Sequence, residues 1–540
     1  MKKPAPLFLF ILVFLYAQEN ENKDTHMDSL FGVINPAPER KEGEGPFKRL
    51  IIRGATLIDG TGAPPRGPVD IVVEGNKISR VASVGTPFIK INDAERPKNA
   101  SYEIEAEGMY VMPGLVDLHT HLGDSKKAPN SEYVFKLWLG HGITTVRGVP
   151  LADFETSLLE KARSEKNEIT APRIFNYPFV STGGPDWKGG EINDPVTARK
   201  WVKYISRRGA DGMKLFSLRP DIMAALLDEA KNYQLGSTAH LAQTGVAQMN
   251  AIDAARLGLG TVTHFYGLFE SMYKSNDIQP WPVKMNYNDE QFRFGQVARQ
   301  WNLVEPRGEK WTSLLDEFLE LKVSLDPTMT IYAAGRDVMR ARNADWHEEY
   351  TLPSLWEFFT PSRVDHGSYF FDWTTWDEIA WRNYYRIWMK FLNDYKNMGG
   401  RVTTGSDSGF IYKLFGFGTI EEMELLQEAG FHPLEVIRSA TMYGAETLYQ
   451  PSGKPIEFGV IRSGMKADML IVDENPIANL KVLYGTGAVK LNDETGEVER
   501  VGGVKYTIKD GIVYDAQKLL EDVRTMVKEQ KREQGDRILH

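Results

Sequence analysis

The sequence predicts an α/β protein: a (β/α)8 TIM barrel joined to a small discontinuous β-sandwich. Two observations carry this. Eight strand-like runs, from LVDLHTHLG (115–123) to GRVTTGSDS (400–408), alternate mostly with amphipathic helical stretches. Short β-branched runs broken by turn residues precede this region and return only near the end of the chain, so the two ends are expected to pair. No G-x-G-x-x-G follows the first strand, which argues against a doubly wound open sheet.

In chain order, residues 1–17 (MKKPAPLFLFILVFLYA) join Lys2 and Lys3 to an apolar run at 7–16. That run is shorter than the roughly 20 residues a spanning helix needs, so a removable signal peptide is expected, with a short membrane anchor as the alternative. The expectation is an exported, periplasmic or secreted protein without membrane attachment after signal removal. Residues 18–47 are polar and rich in Pro, Gly and Glu, and read as a linker or arm. Residues 48–113 form the first part of the sandwich (LIIRGATLIDG, VDIVVEGNKISRVAS, YEIEAEGMYVMPG), with a hairpin turn at Glu74, Gly75 and Asn76. The barrel is expected over 114–450. After the first strand come GITTVRGV (142–149), PRIFNYPFVST (172–182), GMKLFS (212–217), LGSTAHL (235–241), LGTVTHFYG (259–267), KVSLDPTMTIY (322–332) and GRVTTGSDS. Helices are expected at 156–165, 196–208, 220–232 and 245–256, with insertions after strands six and seven at roughly 268–310 and 335–380. Residues 451–515 (ADMLIVDENP, KVLYGTG, VKYTIKDGIVYD) supply the second part of the sandwich. Residues 516–540 hold a charged amphipathic helix, read as an interface or a solvated cap.

Composition narrows the chemistry. With 64 basic against 73 acidic side chains in 540 residues, the net charge of -9 argues against a general nucleic-acid binder. The absence of cysteine removes disulfides, zinc fingers, iron–sulfur clusters and thiol nucleophiles, so any metal must rest on imidazole and oxygen ligands. The 10 histidines are therefore informative. His119 and His121 are two apart on the first barrel strand and face the same way. His240 and His264 end the fifth and sixth strands, Lys214 lies in the fourth, and Asp407 follows the eighth. Taken singly, each has an ordinary structural reading: a core histidine, a lysine stem on apolar surface, or a turn aspartate. Core packing gives no reason to place all six at strand ends, and a metal site does.

VMPGLVDLHTHLG, the later strands ending in Lys214, His240, His264 and Asp407, and GFHPLEVIRSATMYGAETL…GVIRSGMKADMLIVDENP together resemble the amidohydrolase superfamily over roughly residues 48–515. The resemblance implies two divalent metals, zinc above others. His119, His121 and Asp407 would hold one and His240 and His264 the second, with Lys214 bridging both as a CO2-derived carbamate. A carbamate presents two anionic oxygens, which a neutral amine does not. Two metals about 3.5–4 Å apart can share one water and lower its pKa toward about 7. The expected reaction is hydrolysis of a C–N bond (amide, cyclic amide or small peptide) by that bridging hydroxide, with Asp407 moving the proton to the leaving nitrogen. A lactonase or esterase, and a binding protein that has lost turnover, are the competing readings; Lys214 and Asp407 speak against the last.

Within that superfamily, the Lys214 pattern and the SATMYGAETL stretch resemble the zinc-dependent prolidase-like dipeptidases and imidazolonepropionase-like amide hydrolases. Those relatives often carry TGGH on the third strand, where this chain has Thr182, Gly183, Gly184 and Pro185. Recognition of a dipeptide carboxylate is therefore open. Arg147 is either an anion contact or a structural ion pair. Sixteen of the 60 residues at 332–391 are aromatic, against 11% for the chain. Trp381, Tyr385 and Trp388 have the spacing of a buried helix face. Trp356, Trp373 and Trp376 lie in irregular sequence and could line a lid over the pocket. His347 and His366 are substrate contacts or exposed loop residues. The expected partner is a small-molecule substrate, and a homo-oligomer is left open.

Overall fold

The computed structural model describes residues 33–534 apart from 87–90, 92, 95, 181–182, 185, 247, 273–281, 287 and 364–366. The expected signal segment, most of the linker, His366, Thr182 and Pro185 lie outside the described residues.

Residues from both ends of the chain build one mixed sheet. Its first strands are β1 (Leu50–Leu57), β2 (Arg66–Glu74), β3 (Lys77–Ser83), β4 (Tyr102–Glu105) and β5 (Tyr110–Pro113). The β2–β3 hairpin closes with Glu74 opposite Lys77, at the turn the sequence marks. The central region supplies two parallel sheets. One holds β6 (Leu115–Thr120), β7 (Ile143–Gly148) and β8 (Arg173–Asn176) in that order. The other runs in sequence order from β9 (Gly212–Phe216) through β10 (Gly236–His240), β11 (Thr261–Thr263) and β12 (Ser324–Asp326) to β13 (Arg401–Val402). All eight runs expected to be barrel strands thus contain a strand. Backbone hydrogen bonds join the two sheets along both seams. Lys214 N donates to Pro178 O (2.9 Å) on one side, and Leu118 N donates to Thr404 O (2.9 Å) on the other.

The chain then returns with β14 (Met469–Val472), the exposed hairpin β15 (Ala488–Leu491) and β16 (Val498–Val501), β17 (Val504–Lys509) and β18 (Ile512–Asp515). The mixed sheet has the order β18-β17-β14-β5-β1-β2-β3, with β4 also paired to β1. The two terminal segments therefore meet as expected, through hydrogen bonds continuous in a single sheet. Its inner residues, among them Leu50, Ile71, Ile104, Met469 and Ile508, form a core of their own.

Three local expectations are corrected. KVSLDPTMTIY is strand only to Asp326; Pro327 lacks a backbone N–H, and helix Met329–Arg336 begins two residues later. The Glu422 carboxylate accepts from Met329 N (3.0 Å) and Thr330 N (2.7 Å), satisfying the new helix end. The helix expected from residue 245 starts at Ala251, where the Asn250 side chain accepts from Asp253 N (3.0 Å). The segment read as irregular around Trp356 is helix Pro353–Phe359, with proline in its first turn. Helix Thr375–Asn397 opens on a capping box of Thr374 and Asp377 and buries Trp381, Tyr385 and Trp388, as their spacing predicts. The C-terminal helix Ala516–Gln534 is docked by buried Leu519, Leu520, Val523 and Val527, packing against helix Ser131–Gly140. Among the described residues, no helix is long and apolar enough to cross a membrane.

Candidate metal centre

Strand geometry brings the predicted ligands together. His119 lies on β6 and His121 just beyond it, and period two turns both inward. The Asp407 carboxylate is the hub: its oxygens stand 3.4 Å from His121 Nε2, 3.7 Å from His119 Nε2 and 3.9 Å from His264 Nε2. Lys214 Nζ lies 3.3 Å from His119 Nε2. His240 joins through its ring, whose centre is 4.5 Å from that of His264. His119, His121 and Asp407 alone place three ligand atoms within 4.8 Å of one another.

The ring nitrogens are oriented for coordination. His121 Nδ1 is 2.7 Å from Pro150 O, an acceptor only, so Nδ1 carries the proton and Nε2 presents its lone pair to the hub. His264 Nδ1 pairs with Thr328 Oγ1, whose own hydroxyl donates to Pro327 O (2.6 Å). The Thr328 oxygen therefore accepts from Nδ1–H, again freeing Nε2. That nitrogen is buried and has no hydrogen-bond partner among the described residues, which suits a ligand facing a cation.

Electrostatics agree with this arrangement. Burial, with a contribution from the Lys214 charge, pushes the His119 imidazolium well below its ordinary pKa. Burial does the same to His264, helped by its histidine neighbours. Burial alone would raise Asp407, but its neighbours His119, His121 and Lys214 hold it well below the usual carboxylate range. Burial brings the Lys214 amine down to about 7, against the opposing pull of Asp407. Two neutral imidazoles, an ionised carboxylate and a readily deprotonated amine are donors a divalent cation can use.

The supports beneath these residues were not singled out in the sequence. Asp117 accepts from His119 N (3.1 Å), Ser406 N (3.0 Å) and Thr419 Oγ1 (2.6 Å), tying β6 to the turn that carries Asp407. Asp326, at the end of β12, lies 3.8 Å from His119 Nδ1. Tyr266 and Tyr332 face the histidines, with ring centres 4.6 Å from His240 and 5.5 Å from His264 respectively, and their hydroxyls meet at 2.9 Å.

Arg147 is corrected. It is wholly buried, and its guanidinium donates to Leu118 O (2.7 Å), Thr261 Oγ1 (3.3 Å) and Asp326 Oδ2 (3.0 Å). It is an internal ion pair binding strands together, and the anion-contact reading gives way. His347 is also buried, its nitrogens 2.8 Å from Thr351 Oγ1 and 2.9 Å from Ala341 O, so it is neither an exposed loop residue nor a substrate contact. Trp356 packs on His347 (5.2 Å) and Tyr412 (5.3 Å), and Trp373 on Tyr369 (5.4 Å) and Trp381 (4.9 Å). Both are half-buried within the insertion, whereas Tyr266, Tyr332 and Phe216 (5.1 Å from His240) are rings that reach the site histidines.

No family model matches the chain. A D-hydantoinase of Streptomyces coelicolor is 35% identical over 74 residues, spanning 14% of each chain. Solved structures match far more of it. A Xaa-Pro dipeptidase with methionine in its active site superposes with a TM-score of 0.56 at 20% identity, covering 86% of this chain and all of its own. A bottromycin amidohydrolase does so with a TM-score of 0.57 at 18% identity, covering 89% and 90%. The chain thus shares its fold with these two enzymes.

Proposed function

We propose that this chain is a metal-dependent amidohydrolase that cleaves a C–N bond in a small amide, cyclic amide or peptide. The observation that carries this reading is the convergence of three imidazole Nε2 atoms on the Asp407 carboxylate, with Lys214 against His119. The structural neighbours include a dipeptidase and an amidohydrolase, which supports the same bond type. His119, His121 and Asp407 would hold one divalent ion, His240 and His264 a second, and Lys214 would bridge them as a carbamate. Zinc suits this imidazole and oxygen set. When bound, such a pair supplies an acidified water and polarises a carbonyl.

The chain's own groups account for the rest. Asp407 is ionised, so it can take the proton of the attacking water and deliver it to the leaving nitrogen. Tyr266 and Tyr332 wall the site beside His240 and His264 and restrict water there. We read the eight strands β6–β13 as one closed barrel with the site at its C-terminal mouth, supported by the hydrogen bonds along both seams. We also assign residues 1–17 to an export signal on sequence grounds.

The deciding experiment pairs metal analysis of purified protein with a screen of N-acyl amino acids, dipeptides, cyclic ureides and lactones. Stoichiometric divalent metal, chelator-sensitive C–N hydrolysis and a loss of about 10²–10⁴-fold in kcat for Asp407→Asn are expected. Metal-free protein indifferent to chelators, or unchanged turnover in that variant, would falsify the reading. Hits confined to lactones would move the chain to the esterase class.

A further inference from the structure

Six lysines are buried among the described residues. Four have a carboxylate close by: Lys136 with Asp522 (2.8 Å), Lys396 with Glu435 (2.7 Å), Lys413 with Glu421 (2.6 Å) and Lys509 with Asp510 (3.3 Å). Lys214 is the proposed bridge. Lys127 is the sixth. It is 2% exposed, and among the described residues no carboxylate lies within ion-pair distance of its ammonium.

Its position is informative. Lys127 lies on the loop that follows His121, and its stem crosses Gly123 so closely that an added Cβ there would stand 2.6 Å from Lys127 Cδ. The Nζ atom sits 3.6 Å from the ring centre of Phe410 and 4.0 Å from that of Phe358. Phe410 is on the turn that carries Asp407, and Phe358 is on helix Pro353–Phe359 of the insertion. Ser354 Oγ donates to Lys127 O (3.0 Å), fastening the loop to that helix. The cation is therefore held by two rings, between the loops that follow two proposed metal ligands. Burial pushes it down to about 7, although the charges of Asp124 and Asp407 oppose this.

We propose that Lys127 is the contact for a substrate carboxylate, which makes the substrate an N-acyl amino acid or a dipeptide with a free C-terminal acid. This rests on the amidohydrolase reading and narrows its substrate class. The aromatic pair holds the ammonium by cation–π attraction and keeps water away, so an arriving carboxylate meets a poorly solvated, unneutralised cation. Four of the other five buried lysines keep a protein carboxylate for this purpose. Lys127 would receive one from the substrate.

The test uses N-acetylphenylalanine and its neutral amide as probes, with binding to full-length, metal-reconstituted protein followed by calorimetry. The wild type is expected to bind the acid about tenfold to a hundredfold more tightly than the amide, the range of a charge-assisted hydrogen bond. In Lys127→Met the acid-to-amide ratio falls toward one, and in Lys127→Arg, which keeps the charge, it stays well above one. No acid preference in the wild type, including binding of neither probe, overturns the proposal without recourse to a variant. A preference that survives in Lys127→Met overturns it too. Hydrolysis of neutral amides without acid preference would sink this inference alone. A Lys127-dependent acid preference in a protein that hydrolyses nothing would keep it and sink the catalytic reading.

Discussion

Thr328 decides which nitrogen of His264 is free. Its hydroxyl proton goes to Pro327 O, leaving the oxygen to accept from His264 Nδ1. The residue has φ of 50°, a left-handed conformation costly for a β-branched side chain, and His264 (66°) and Asp407 (49°) share that region. Non-glycine strain at three neighbouring site positions is characteristic of a functional centre. Thr328→Val keeps the shape and removes the acceptor, so His264 loses its fixed tautomer. Metal affinity should fall about 10–100-fold with the fold intact, measured by titration against a competing chelator. Unchanged affinity would show that the hydroxyl does not orient the ring.

The strand ends place the ligands, and the turn after β13 shows how tightly. A Cβ added at Gly405 would meet Asp326 Oδ1 at 2.5 Å and the His119 Cβ at 2.8 Å. Gly405→Ala must therefore push β6 and β12 apart, at a cost of about 1–3 kcal/mol in denaturant unfolding and with weaker metal binding. Full wild-type stability would mean that His119 and Asp326 move aside freely. This crowding also explains what the sequence could reveal. His119, His121, Lys214, His240, His264 and Asp407 were legible because strand alternation and strand ends are local patterns. Asp117 and Asp326 were not assigned, and Arg147 stayed open between anion contact and ion pair, because their roles arise only where β6, β7, β12 and the Ser406 turn meet across long sequence separations. Trp381, Tyr385 and Trp388 were legible from helical spacing, whereas Trp356 was not, because its helix spans only Pro353–Phe359 and carries no long periodic signal.

At the scale of the molecule, buried ionisable groups outside the site set the range of pH the fold tolerates. The central parallel-stranded region and the terminal sheet are tied by Arg173, which pairs with Asp468 and, at 2.6 Å, with Asp510. Losing one partner of such a buried cluster leaves a charge uncompensated, so the two parts should unfold together. Within that single unit, burial pushes His141 and His347 down from 6.5 to about 4, so both fold as neutral rings. Below pH 6.5 the unfolded chain gains protons that the native chain refuses, and stability falls as the pH drops toward 4. Glu270 acts in the opposite sense. Burial raises its carboxyl from 4.5 to about 8, and its Oε2 has no hydrogen-bond partner among the described residues. Between pH 4.5 and 8 the unfolded chain releases a proton that the native chain keeps, so this group takes stability away as the pH rises. In the thermal midpoint the two histidines and Glu270 therefore pull in opposite senses where their windows overlap, between pH 4.5 and 6.5. Relative to the wild type, His141→Gln should lose less stability as the pH falls from 6.5 toward 4, and Glu270→Gln less as it rises from 4.5 toward 8. Parallel shifts of the whole curve in either variant would show that packing at these positions, and not proton linkage, governs the response.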